Sequence, residues 1–135
     1  MTLKTGYRNV YDLNINLVLV TKYRKKIIHR LMLTRLQEIL TATCQKWRSE
    51  LTDFNGEENH VHLLISYPPD VEVSRLVNNL KTVSSRLIRK EFESEVNAAY
   101  KKAVFWSGAY FVASCGGVTV EQLKAYVEQQ HSPVD

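Results

Sequence analysis

From Val10 to Tyr23 the chain alternates with period two: Val10, Asp12, Asn14 and Asn16 fall on one side, and Tyr11, Leu13, Ile15, Leu17 and Leu19 on the other. This is the pattern of a half-buried strand. The period then changes. Between Leu31 and Trp47, the residues Leu33, Leu36, Leu40, Thr43, Cys44 and Trp47 recur at three- and four-residue spacings, which predicts an amphipathic helix. A short run from Leu51 to Phe54, an Asn55-Gly56 turn signal and the apolar run His60 to Tyr67 predict a hairpin, with Glu57, Glu58 and Asn59 available to lengthen its loop. Pro68 and Pro69 end the second strand, because proline donates nothing to a sheet ladder. A second helix is predicted from about Val73 to Phe92, with Leu76, Leu80, Val83, Leu87 and Ile88 inward and Arg75, Lys81, Arg86, Arg89 and Lys90 on a basic outer face. Phe105-Trp106 and the run Tyr110 to Ser114 read as strand, closed by Gly116-Gly117. A last helix is predicted from Thr119, a candidate N-cap with Gln122 three positions on, to about His131.

The predicted order is therefore β-α-β-β-α-β-α. It matches an α+β fold of the ferredoxin-like type, a split β-α-β antiparallel sheet with helices on one side, plus a C-terminal helix that carries Tyr126. Helices on one side leave the other face of the sheet to water or to a partner. At 135 residues the chain suits one domain, residues 1–135, with no repeat or linker.

Composition changes this picture little: 44% hydrophobic and 24% charged residues are ordinary for a globular protein and exclude a disordered or low-complexity chain. The apolar stretch Leu17 to Val20 is too short for a membrane span or a signal-peptide core, so a cytoplasmic protein is expected. Cys44 and Cys115 form no metal-binding or disulfide pattern and are expected to be reduced thiols near the core. Charge is more informative. The net charge is +4 with an isoelectric point near 9.1, and the basic residues cluster at Lys22-Tyr23-Arg24-Lys25-Lys26 and at Arg86, Arg89 and Lys90. Such patches suit a phosphate backbone, although a solvated basic surface is an equal alternative.

Two pairs of residues can carry chemistry. His60 and His62 are two apart in a predicted strand, so both imidazoles face one side, roughly 6–7 Å apart at the backbone. Two neutral imidazoles can grip one divalent ion, given a third ligand and an open position; an isolated pair is more often hydrogen-bonded on a half-exposed strand. Tyr126 and Gln130 lie one turn apart on a predicted helix. The amide oxygen of Gln130 can coordinate a hard ion. The Tyr126 phenol becomes a competent nucleophile where a cation favours the phenolate. Taken alone, a tyrosine on an amphipathic helix more often packs.

Together these pieces resemble the single-tyrosine HUH transposases of the insertion-sequence 200/605 group. The resemblance runs through Val20-Thr21-Lys22-Tyr23-Arg24-Lys25-Lys26, His60-Val61-His62-Leu63-Leu64-Ile65 and Leu80-Lys81-Thr82-Val83-Ser84-Ser85-Arg86. It continues in Phe105-Trp106-Ser107-Gly108-Ala109-Tyr110-Phe111-Val112 and closes on Tyr126-Val127-Glu128-Gln129-Gln130. It implies that His60, His62 and Gln130 bind Mg²⁺ or Mn²⁺ and that Tyr126 cuts and rejoins single-stranded DNA through a 5′-phosphotyrosine. It also implies recognition of hairpins at element ends, and a homodimer in which Tyr126 can serve the partner's site. Lys22, Arg24, Lys25, Lys26, Lys81 and Arg86 are candidates for phosphate contacts, and Tyr23, Trp106 or Tyr110 for base stacking. One position departs from the family: Asn59 stands where aspartate is common, which removes a charge that would orient or tune the neighbouring site.

Three other readings stay open on sequence. One is a host-domesticated relative that processes repeated hairpins. The second is a non-catalytic single-stranded nucleic-acid-binding module, and the third a two-histidine phosphohydrolase that uses water.

Overall fold

A computed structural model describes residues 4–5, 10–114 and 125–128. The predicted first strand divides in two. Lys4–Thr5 (β1) pairs with Val10–Tyr11 (β2) in a small ribbon, and the long strand Asn14–Thr21 (β3) begins after Asp12 and Leu13. Helix α1 (Arg30–Lys46), strands β4 (Glu50–Glu57) and β5 (His60–Ser66), helix α2 (Val73–Glu91), a short helix α3 (Glu93–Ala99) and strand β6 (Trp106–Ser114) follow.

The four long strands form one antiparallel sheet in the order β4-β5-β3-β6. This is the ferredoxin-like order, in which the first long strand lies between the third and the fourth, so the α+β expectation holds. The period-two parity of β3 and β5 decides which residues meet the helices. Ile15, Leu17 and Leu19 of β3 and Val61, Leu63 and Ile65 of β5 join Met32, Leu36 and Leu40 of α1 and Leu76, Leu80 and Ile88 of α2 in one buried core. Asn16, Val18 and Val20, and likewise His60, His62 and Leu64, point to the opposite face, away from α1 and α2. Val18 and Val20 are nevertheless fully buried within the single chain, so their burial does not require a dimer partner.

Two details differ from the sequence reading. The hairpin turns at Glu58-Asn59 rather than at Asn55-Gly56, which lie inside β4 opposite His62 and Val61. Gly56 is a packing residue: a Cβ there would stand 2.7 Å from Leu33 Cδ1 and 2.9 Å from the His60 carbonyl, so glycine lets α1 approach the strand. Helix α3 was not anticipated. Its seven residues bury only Val96, too short a pattern to read, and the break at Phe92 (φ −121°, ψ 43°) separates it from α2.

Polar contacts tie α1 to α2, and α2 to the sheet. The Arg35 guanidinium on α1 makes two bonds of 2.6 and 2.9 Å to Glu91 at the end of α2, and Trp47 Nε1 donates to Asn79 Oδ1 at 2.9 Å. Trp106, at the start of β6, is buried and donates its indole N–H to Ser84 Oγ at 2.9 Å.

Candidate active site

The face of the sheet turned away from α1 and α2 carries the candidate chemistry. Strand register aligns Asn55, His62, Val18 and Phe111 in one row across β4, β5, β3 and β6, with Glu57, His60 and Val20 in the next row. Both histidines are therefore on one face, as their spacing predicts, and both are about half-buried. Burial, the largest influence on each, pushes both imidazole pKa values below the ordinary range; Glu57 pulls His60 partly back and Asp53 does the same for His62. Both rings are thus neutral at neutral pH, the form that binds a metal.

Their hydrogen bonds fix each ring. His60 Nδ1 lies 2.9 Å from Asn59 Oδ1, and His62 Nε2 lies 3.0 Å from Asn16 Oδ1. An amide oxygen only accepts, so each of these ring nitrogens carries the proton. That leaves His60 Nε2 and His62 Nδ1 with lone pairs. Asn59 keeps the orienting bond that an aspartate would make, but without its charge. The donor set fits a divalent ion as far as two neutral nitrogen ligands. Among the described residues, no cluster of three His, Cys, Asp or Glu side chains surrounds them. The expected third ligand, Gln130, lies outside the described residues, as do Cys115 and the predicted N-cap at Thr119.

Tyr126 sits in the helical segment 125–128, partly buried. Its ring lies 5.0 Å from the ring of Phe111, tilted by 50°. Since Phe111 and His62 both flank Val18 in the same cross-strand row, Tyr126 is placed over the face that holds the histidine pair.

The basic candidates divide. Lys26 and Arg86 are exposed. Lys22 Nζ stands 5.5 Å over the Tyr23 ring, and Lys25 donates to the Ala99 carbonyl at 2.6 Å. Lys81 is half-buried and donates to the carbonyls of Ser107 (2.8 Å) and Gly108 (3.1 Å); burial, with a smaller contribution from Lys22, lowers its pKa. Arg24 donates to the carbonyls of Val127 (3.4 Å) and Glu128 (2.5 Å). Trp106 is a core residue, whereas Tyr23 and Tyr110 are partly buried. Two adjoining clefts of about 260 and 570 Å³ share Arg89 and Ala103, and Lys81, Lys101 and Lys102 add positive charge to their walls.

Sequence reasoning did not single out Asn16, Thr21 or Phe111. Asn16 left a signal, a polar residue between Ile15 and Leu17 on the face of β3 that the histidines share. Phe111 left none, because its ring partner lies 15 positions away in another element.

The chain is 25% identical over 131 residues to the ISDra2 transposase TnpA of Deinococcus radiodurans, covering 97% of this chain and 93% of the relative. It is 23% identical over 120 residues to the transposase for insertion sequence element IS200 of Salmonella typhimurium, covering 89% and 78%. A crystal structure of a candidate transposase from Deinococcus radiodurans R1 superposes with a TM-score of 0.87 at 27% identity, over 96% of this chain and 98% of that one. A REP-associated tyrosine transposase bound to a REP hairpin shares the fold at a TM-score of 0.53 and 13% identity, over 93% and 69%. The family model described as "Transposase IS200 like" matches residues 9–130, and the chain belongs to that transposase family.

Proposed function

We propose that this transposase cleaves and rejoins single-stranded DNA by tyrosine transesterification, with Tyr126 as nucleophile and His60, His62 and Gln130 as ligands of Mg²⁺ or Mn²⁺. The observation that supports it most is the placement of the Tyr126 ring on Phe111, over the sheet face that presents two neutral imidazoles.

In this reading the Tyr126 oxygen attacks the scissile phosphorus in line, the phenol gives up its proton, and the departing 3′-oxygen takes one up. The strand's 5′ end is left as a phosphotyrosine. The phosphodiester energy is conserved in that bond, so a second 3′-hydroxyl can attack it and reseal the strand without a nucleotide cofactor. A bound divalent ion supplies charge neutralisation at the phosphate and favours the phenolate. Asn59 and Asn16 orient the two imidazoles, and Phe111 positions the tyrosine ring. Phosphate contacts fall to Lys22, Lys25, the exposed Lys26 and Arg86, and to Lys81, which lines a basic cleft with Arg89. The DNA partner is a hairpin-bearing strand at element ends, in keeping with the REP hairpin bound by the structural neighbour. A homodimer, with Tyr126 serving either its own site or the partner's, belongs to the same proposal.

The test is a denaturing gel of labelled single-stranded DNA from the element's ends, incubated with the protein and Mn²⁺ or chelator. A metal-dependent protein-DNA adduct absent from Tyr126→Phe is expected. Binding without any adduct would favour a non-catalytic module, and cutting by the variant would make water the nucleophile.

A further inference from the structure

The basic turn after β3 is built at a conformational cost. Tyr23 and Arg24 are consecutive residues in the left-handed region, at φ 58° and 55°, which side chains with a Cβ rarely adopt. Several bonds hold them there. The Thr21 N–H donates to the Asn59 carbonyl at 3.0 Å, the Thr21 hydroxyl lies 2.7 Å from the Lys25 carbonyl, and the Tyr100 hydroxyl donates to the Lys22 carbonyl at 2.7 Å. Strain that its surroundings enforce in this way points to a use for the geometry. Here it aims the Arg24 guanidinium at the carbonyls of Val127 and Glu128, the two residues that follow Tyr126. The turn is tied at its other end to Asn59, the residue bonded to His60.

We infer that Arg24 is a positioning residue, which clamps the main chain beside Tyr126 and holds the tyrosine over the histidine face, rather than a phosphate contact. A charged donor on backbone carbonyls acts whatever side chains stand at 127 and 128, and lysine can replace it only in part, because an ammonium lacks the planar fork. The inference rests on the proposed role of Tyr126 for its catalytic consequence, but not for the docking itself.

The test compares the full-length protein with Arg24→Ala and Arg24→Lys. Hydrogen exchange of the segment containing 125–128, without DNA, should accelerate on the order of tenfold in Arg24→Ala and be partly restored in Arg24→Lys. On labelled single-stranded DNA, the adduct rate at saturating DNA should fall by a similar factor. The half-saturating DNA concentration and its salt dependence should stay unchanged. Unaltered exchange, with weaker DNA binding and a salt slope reduced by about one, would overturn the inference and make Arg24 a phosphate contact. If the wild-type protein forms no adduct, the tyrosine mechanism fails, while the exchange data still decide whether Arg24 docks the segment. Circular dichroism of both variants separates loss of docking from loss of fold, and an exchange increase spread over the whole chain would also count against the clamp.

Discussion

The rings of Tyr126 and Phe111 lie 5.0 Å apart, the contact that brings the candidate nucleophile over β6, one strand from Val18 and two from His62 in the same cross-strand row. An aromatic pair of this kind is worth about 0.5–1.5 kcal/mol beyond its buried area. Phe111→Ala should therefore lower the adduct rate roughly 2- to 12-fold through a smaller docked population, whereas Phe111→Leu, which keeps apolar bulk, should lose less. Single-turnover kinetics of adduct formation measures both.

The histidine pair sets a pH dependence. Burial lowers both imidazole pKa values in the folded protein relative to the ordinary value of ~6.5. Between the folded value and ~6.5 the unfolded chain binds more protons, so the pair's contribution to stability rises with pH through that window and is level above it. Metal affinity follows the same sign. Mn²⁺ binding, followed by titration calorimetry, should be nearly constant from about pH 8 down to ~6.5 and weaken only below that, where protons begin to compete. Marked weakening already at neutral pH would contradict buried, neutral imidazoles.

Gly56 is held glycine by close approach rather than by a turn. Gly56→Ala would press a methyl group against Leu33 Cδ1 at 2.7 Å and Val61 Cγ1 at 3.0 Å, besides the His60 carbonyl. Overpacking of this kind costs about 1–3 kcal/mol. Urea denaturation should show that loss, and Leu33→Ala in the same chain should recover only part of it, because the backbone carbonyl remains.

Ser84 bridges α2 and β6: it donates to the Leu80 carbonyl at 2.6 Å and accepts from the buried Trp106 indole at 2.9 Å. Ser84→Ala leaves that N–H without its partner, a loss of about 1–3 kcal/mol. Trp106→Phe in the Ser84→Ala background should be less harmful than the two single changes added together, since the stranded donor is gone. Thermal unfolding of the four proteins checks this.

Much of the fold was legible because periodicity is a local signal. The alternation of β3, the apolar run of β5 and the stripes of α1 and α2 follow from spacing alone, and parity placed His60 and His62 on one face. The turn was misplaced because Asn55-Gly56 resembles a hairpin signal, while the actual demand on Gly56 comes from Leu33, more than twenty positions earlier. The first strand was drawn too long because alternation continues across Asp12 and Leu13, where pairing changes from β1 to the main sheet. In the site, spacing put His60 and His62 on one face, whereas Tyr126 was singled out by the family resemblance and not by its spacing. The second layer was hidden: Asn16 beside His62, Phe111 beneath Tyr126, and Arg24 spent on main-chain carbonyls are contacts between elements distant in sequence.

As the proposed nucleophile, Tyr126 itself becomes joined to DNA. The direct measurement is nuclease and protease digestion of the Mn²⁺-dependent adduct, followed by mass spectrometry of the peptide that contains Tyr126. A nucleotide attached through its 5′-phosphate to Tyr126 is the predicted result. An adduct on another residue, or cut DNA with free ends and an unmodified Tyr126 peptide, would rule out Tyr126 as the nucleophile.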